Sequence, residues 1–358
     1  MKLEDLGWND FFARQLAAAG PGLLPARVTA EYGGCYGVDF GGGEKLAAVS
    51  GKFRHTAASA GEMPVVGDWV LLTADAPGAE RLPIRAVLAR KSKLSRKSTD
   101  TEGAEQPIAA NADTVFIVQA LDANYNSRRM ERFLVAARES GAAPVVILNK
   151  ADLCPEHAQR ELETAELAAG LPVITIDSVS LAGYEKLAPF LAKGRTIAFI
   201  GSSGVGKSTI INNLGAARQR TAAVRESDSK GMHTTTTRRL LRLDAGALLI
   251  DTPGMKEFEA WDAPEGFREN FPEIEELALA CRFTNCAHET EPGCAVRAAL
   301  EAGTLDEARF GSYLKLKAEA EYQKARASVT EQLKRKAAGK KISRAIKNLY
   351  EHRREEGQ

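Results

Sequence analysis

The chain has 358 residues, 44% hydrophobic and 27% charged, with a formal net charge of +1. That is material for two or three domains with real cores. The balanced charge excludes a uniformly basic nucleic-acid binder, so any such role must come from local runs. The start, MKLEDLGWNDFF, carries early acids and lacks a signal-peptide core, and no apolar run nears the ~18 residues of a membrane span. A cytoplasmic monomer without membrane contact is expected.

Residues 1 to about 20 predict a short helix with Leu6, Phe11, Phe12 and Leu16 on a broken apolar face. From Ala26 to about Arg96 the texture changes to β-like runs: ARVTAEYGGCYGVDF, EKLAAVSGKFRH, VVGDWVLLTAD and LPIRAVLARKSKLSR. Four or five short strands parted by Gly, Asp and Pro turns predict a small barrel of the OB or SH3-like kind. From near Ala109, five apolar runs show little alternation: DTVFIVQAL, PVVILNKAD, PVITID, TIAFIGSSG and ALLIDTPG. Such strands are buried on both faces, as in a parallel sheet. Helical stretches at Ser127 to Ser140, His157 to Ala169 and Lys207 to Leu214 separate them, which predicts a doubly wound α/β domain. Beyond about Trp261 the chain is helical, and its tail, LKRKAAGKKISRAIKNLYEHRR, is rich in Lys and Arg.

GSSGVGKST fits the phosphate-loop pattern, with Gly201, Gly204, Gly206, Lys207 and Ser208 at the defining positions and Ser202, Ser203, Val205 and Thr209 beside them. It follows an apolar strand and opens a helix, so loop N–H groups can turn around phosphate oxygens at a helix N-terminus. Lys207 would reach the β- and γ-phosphates, and Ser208 would ligate Mg²⁺. Asp251 ends a later strand in DTPG, where an acid holds Mg²⁺ through water and Gly254 presents its N–H to the γ-phosphate. Between them, HTTTT supplies switch candidates Thr235 and Thr234.

The base is chosen by NKAD: Asn149, Lys150, Ala151 and Asp152. Guanine presents two adjacent donors, and a carboxylate at Asp152 accepts both, whereas adenine would set an acceptor against it. Asn149 can bond the other edge of the base and brace the loop. Asp177 and Ser178, after another strand, form a second base-side loop. GTP and GDP are therefore the expected ligands. The order of these segments is a cyclic rotation of the one in Ras-like enzymes, and close domain termini permit such a permutation.

CRFTNCAHETEPGC sets three thiols and an imidazole, Cys281, Cys286, His288 and Cys294, in one short loop. Four soft S and N donors suit tetrahedral Zn²⁺, and a closed set implies a structural ion. Cys35 and Cys154 are isolated, so no disulfide framework is expected.

NKAD, GSSGVGKST, HTTT, DTPG and the cysteine cluster together resemble the circularly permuted ribosome-assembly GTPases of the RsgA (YjeQ) family, over nearly the whole chain. The resemblance implies a multidomain α/β protein: an OB-like barrel with its leading helix at 1–102, a permuted P-loop GTPase domain at 103–262, and a zinc-binding helical domain with a basic tail at 263–358. It also implies late maturation of the small (30S) ribosomal subunit, with rRNA as partner and release on GTP hydrolysis. Basic runs at Arg85 to Lys97 and Lys334 to Arg354 fit a grip on phosphate backbone. Met255 stands where Ras-like enzymes place a water-orienting Gln. Slow hydrolysis by the chain alone, stimulated by the subunit, is expected, with His233 as the candidate to orient water. The rivals are a GTP-driven metallochaperone, which the closed ligand set disfavours, and an RNA-binding scaffold that holds GTP without turning it over.

Overall fold

The computed structural model describes residues 2–56, 60–73, 80–97, 105–216, 238–251 and 264–322. Strands β1 (Leu23–Tyr32), β2 (Cys35–Asp39), β3 (Glu44–Val49), β4 (Trp69–Thr73) and β5 (Leu82–Val87) pair in the order 1-2-3-5-4. Pairing of β1 with β4 closes the barrel, and β3 meets β5 in parallel. Alternate residues of each strand fill the interior, among them Ala26, Val28, Val38, Val70, Leu72 and Ile84. A short helix, α2 (Gly51–Thr56), follows β3, and the whole is the OB-like barrel expected from the sequence.

Two early expectations need correction. The first twenty residues form not one helix but a 3₁₀ turn, Leu3–Leu6, and then α1 (Asp10–Ala19). Gly7 breaks them apart at φ 88°, and a Cβ there would lie 2.9 Å from the Gly194 carbonyl. Leu6 and Phe12 cover Trp69 and Leu71 on the barrel, whereas Phe11 is exposed. The run LPIRAVLARKSKLSR is also two strands. After β5 the chain turns, and β6 (Lys93–Lys97) pairs instead with β7 (Glu105–Ala110) in a separate antiparallel ribbon. Leu94, Ile108 and Ala109 of that ribbon pack into the α/β core, so most of the basic run lies off the barrel.

The α/β sheet contains β8 (Thr114–Ala120), β9 (Ala143–Asn149), β10 (Val173–Thr175), β11 (Thr196–Ile200), β12 (Arg239–Arg242) and β13 (Leu248–Asp251) in the order 10-9-8-11-13-12. All pair in parallel except β12. The five apolar runs are all strands. The sixth, β12, reads Arg-Leu-Leu-Arg and has only Leu241 buried, so it carried no apolar signal. On one face lie α3 (Ser127–Glu139) and α4 (His157–Leu167), with Met130, Phe133, Leu134 and Ala137 of α3 turned inward at helical spacing. On the other lie α5 (Lys207–Ile211) and a 3₁₀ turn, Tyr184–Phe190.

Barrel and α/β sheet are one continuous ladder, because β12 also pairs with β1 at Ala30 opposite Arg239, beside a 2.8 Å Arg238–Glu31 ion pair. Beneath this seam Arg27 is buried. Its guanidinium donates to the carbonyls of Leu6 (3.0 Å) and Asn111 (3.2 Å) and to the Thr196 hydroxyl (3.2 Å), and lies 5.4 Å from the Trp69 ring centre. Burial pulls its pKa down to about 10, still cationic at neutral pH.

The helices α6 (Pro264–Asn270), α7 (Pro272–Leu279), α8 (Ala295–Glu301) and α9 (307–322) surround Phe267, Phe271, Ile274, Val296 and Tyr313. Their core reaches Val135 of α3. Gly266 makes this approach possible, since a Cβ there would stand 2.3 Å from the Val135 carbonyl.

Replacing Arg27 by Ala would strip donors from two buried carbonyls and a hydroxyl, each loss worth about 1–3 kcal/mol. The expected cost is about 3–5 kcal/mol of stability, read as a lower urea midpoint. An unchanged midpoint would refute the role of Arg27 as the interdomain anchor.

Candidate nucleotide and metal sites

Parallel strands end at one edge of a sheet, and ligands collect there. The carboxyl ends of β9, β10, β11 and β13 deliver Asn149, Asp177, Gly201 and Asp251 to that edge. Gly201 (φ 142°) and Gly206 (φ 96°) hold conformations that side chains avoid. A Cβ on Gly201 would meet the Val118 carbonyl at 2.4 Å, and one on Gly206 would meet Asn149 Nδ2 at 2.2 Å. Gly204 (φ 80°) faces open space. Val205 is buried and anchors the loop, while Ser203, Gly204, Ser208 and Thr209 are exposed. Lys207 Nζ folds back onto the carbonyls of Gly201 and Ser202, at 2.6 Å each.

Asn149 is buried, and both ends of its amide have protein partners. Nδ2 donates to the Val205 carbonyl (2.9 Å), and Oδ1 accepts from Ser178 Oγ (2.7 Å). Of the two roles the sequence suggested for it, the geometry engages the brace. Lys150 takes the left-handed conformation (φ 64°), and its ammonium pairs with Asp122 at 2.7 Å. That hydrogen bond holds the Asp122 carboxyl below its ordinary pKa. Ala151 and Asp152 lie in a 3₁₀ turn, Ala151–Leu153, with Asp152 exposed. Asp177 is turned into its own loop, accepting from Ser180 Oγ and from the N–H groups of Val179 (2.8 Å) and Ser180 (3.1 Å). These bonds, the Ser180 hydroxyl first, lower its pKa. Asp251 ends β13 opposite Arg239. His233, Thr234, Thr235, Gly254 and Met255 lie outside the described residues.

Several neighbours escaped sequence reasoning. Asn213, beyond α5, donates to the Ser178 carbonyl and the Tyr184 hydroxyl, both at 3.0 Å. Arg129 Nη1 donates to Ser202 Oγ at 2.9 Å. Neither residue sits in a motif. Only the tertiary pairing of distant segments brings them to the loops.

Cys281, Cys286, His288 and Cys294 place their ligand atoms within 4.8 Å of one another. Cys281 Sγ is 3.8 Å from Cys294 Sγ and 3.6 Å from His288 Nδ1, and Cys294 Sγ is 3.5 Å from that nitrogen. A tetrahedral zinc with ordinary Zn–S and Zn–N bonds separates its ligands by roughly 3.8 Å (S to S) and 3.5 Å (S to N). Spacing and donor chemistry therefore fit that ion. His288 reaches the cluster from a left-handed backbone (φ 63°). Glu291 shapes the turn by accepting from the N–H groups of Ala287 (2.8 Å), Glu289 (2.9 Å) and Thr290 (3.0 Å). These backbone bonds lower its pKa to about 2.

The family model described as RsgA GTPase matches residues 87–261. The chain is 45% identical over 332 residues to the small ribosomal subunit biogenesis GTPase RsgA of Opitutus terrae, covering 90% of each chain. To the protein of the same name from Syntrophotalea carbinolica it is 40% identical over 367 residues, covering 100% of this chain and 99% of the relative. The crystal structure of YjeQ from Thermotoga maritima aligns with a TM-score of 0.60 at 28% identity, over 83% of this chain and 98% of that one. With a closed barrel, a rotated α/β unit and relatives matched over 90% or more of their length, this chain belongs to the RsgA GTPase family.

Proposed function

We propose that this GTPase acts in late maturation of the small ribosomal subunit, binding rRNA and leaving on GTP hydrolysis, as a cytoplasmic monomer. The observation that carries the nucleotide reading is the Asn149 amide, which joins the candidate base loop to the candidate phosphate loop and the Ser178 loop at one sheet edge. The relatives' names support the ribosomal reading. Asp152 reads guanine N1–H and N2–H₂, with Lys150 and Ala151 completing its turn. The N–H groups of residues 201–206 and Lys207 cradle the phosphates, releasing the ammonium from its carbonyl partners. Ser208 and a switch threonine, Thr235 or Thr234, would hold Mg²⁺, with Asp251 reaching it through water, and Gly254 would meet the γ-phosphate. His233 orients the water. Bound Mg²⁺ supplies charge neutralisation at the phosphates.

The four-residue cluster would hold one structural Zn²⁺, which crosslinks the loop between α7 and α8. Cys294 would serve twice, since its Sγ also caps α8 by accepting from Arg297 N at 3.4 Å. The barrel and the basic runs would supply the phosphate-backbone contacts.

Turnover of GTP by the pure protein should be slow and should rise at least about tenfold with purified small subunits. No stimulation would remove the ribosomal reading. Asp152→Asn replaces an acceptor pair by one acceptor and one donor. GTP affinity should fall by about 1.5–3 kcal/mol, roughly 10–150-fold, and xanthosine triphosphate, which carries a carbonyl in place of the amino group, should bind better than to wild type. Equal GTP affinity in the variant would end the assignment of Asp152. Mass spectrometry of the native protein should find one zinc per chain. Cys294→Ser should lose it and expose 264–322 to protease while GDP affinity stays within about threefold, because a structural ion supports the core of its own helices. Zinc retained in full by the variant would contradict the ligand set.

A further inference from the structure

We propose that Arg129 contacts the γ-phosphate of bound GTP and stabilises the charge that develops there during hydrolysis, an arginine supplied by the chain itself. This rests on reading residues 201–209 as the phosphate site. Arg129 lies in the first turn of α3, where its backbone N–H is capped by Asn126 Oδ1 at 2.9 Å, so its Cα is fixed. Its half-buried guanidinium donates to Ser202 Oγ at 2.9 Å. The carbonyl of the same Ser202 takes Lys207 Nζ at 2.6 Å. Two cations thus converge on one residue of the phosphate loop.

The contrast within α3 is informative. Arg132 pairs with Glu319 (2.9 Å) and Arg138 with Glu269 (3.2 Å). Arg129, among the described residues, has no carboxylate and holds a neutral hydroxyl alone. Its other donors stay available, and a phosphate oxygen is the stronger partner, charge-assisted and matched to the guanidinium fork. Sequence supplies the need. Met255 cannot orient water and His233 would act on the water alone, so the charge that develops on the phosphoryl oxygens still calls for a cation. In the reaction the bond from the γ-phosphorus to the β–γ bridging oxygen breaks and its electrons stay on GDP. Water forms the new P–O bond, and its proton leaves with phosphate or solvent. Arg129 keeps all its protons and donates hydrogen bonds throughout.

The test uses full-length Arg129→Ala and Arg129→Lys in single-turnover hydrolysis of γ-labelled GTP with Mg²⁺, beside equilibrium binding of a fluorescent GDP and of GDP with aluminium fluoride. Arg129→Ala should lose about 10–100-fold in rate and lose the aluminium fluoride complex, with GDP affinity within twofold. Lysine should restore only part, since it lacks the fork. An unchanged rate overturns the proposal. So does a rate that falls only in step with GDP affinity, which would make Arg129 a brace of the loop. If wild type itself fails to bind GDP, the phosphate-site reading falls and takes this inference with it.

Discussion

The side-chain amide of Asn149 is the joint on which the nucleotide end depends. It spans 56 residues of chain to the Val205 carbonyl and 29 to the Ser178 hydroxyl, in a position that water does not reach. A buried amide is stable only when both ends are satisfied, so the three loops fix one another. The same contact explains Gly206. With Asn149 Nδ2 2.2 Å from where a Cβ would stand, no side chain fits. Residues 149, 178 and 206 are therefore one specification written in three places.

Rotation of the chain order changes what the sheet is attached to. In an open sheet β12 would be an edge strand, with unpaired backbone groups that invite foreign strands. Here β12 lies between β13 and β1, and the Arg238–Glu31 ion pair and the Arg239–Tyr32 stacking, 5.4 Å to the ring centre, reinforce the seam. In sequence, Thr234 and Thr235, the proposed switch residues, come shortly before this strand. The strand itself is held by the barrel as well as by the α/β core. Arg27 adds a second tie, because it bonds the N-terminal turn, the start of the α/β unit and β11 at once.

What the sequence disclosed follows from how each feature is encoded. Strands buried on both faces must be apolar throughout, so β8, β9, β10, β11 and β13 stood out. β12 did not, because one buried leucine between arginines is too little signal. The loop motifs were legible because backbone geometry at Gly201 and Gly206 demands glycine, whatever surrounds it. The cysteine cluster was legible because its ligands are local in sequence. Contacts between distant segments were not. Nothing near residue 129 announces Ser202, and nothing near residue 213 announces Ser178. The break between β5 and β6 was hidden for a similar reason. Arg90 leaves the strand to bond Asp68 and the carbonyls of Gly61 and Met63, partners from another part of the barrel.

Helix α3 touches both the candidate phosphate loop and the helical unit. Arg129 reaches Ser202 from its first turn. Two residues on, about 3 Å along the axis, Glu131 meets Arg309 at 2.7 Å with almost no exposure. Such a buried pair is stable only if its other groups are satisfied. Arg309 is satisfied, by Glu273, the Asn270 carbonyl and the face of Phe271. One turn further, Val135 packs beneath Gly266 with no room for a methyl group, and Arg138 pairs with Glu269. A helix neither stretches nor compresses easily, and this one is held at three successive levels. The first turn of α3, and Arg129 with it, is therefore held in place by the helices packed along its length.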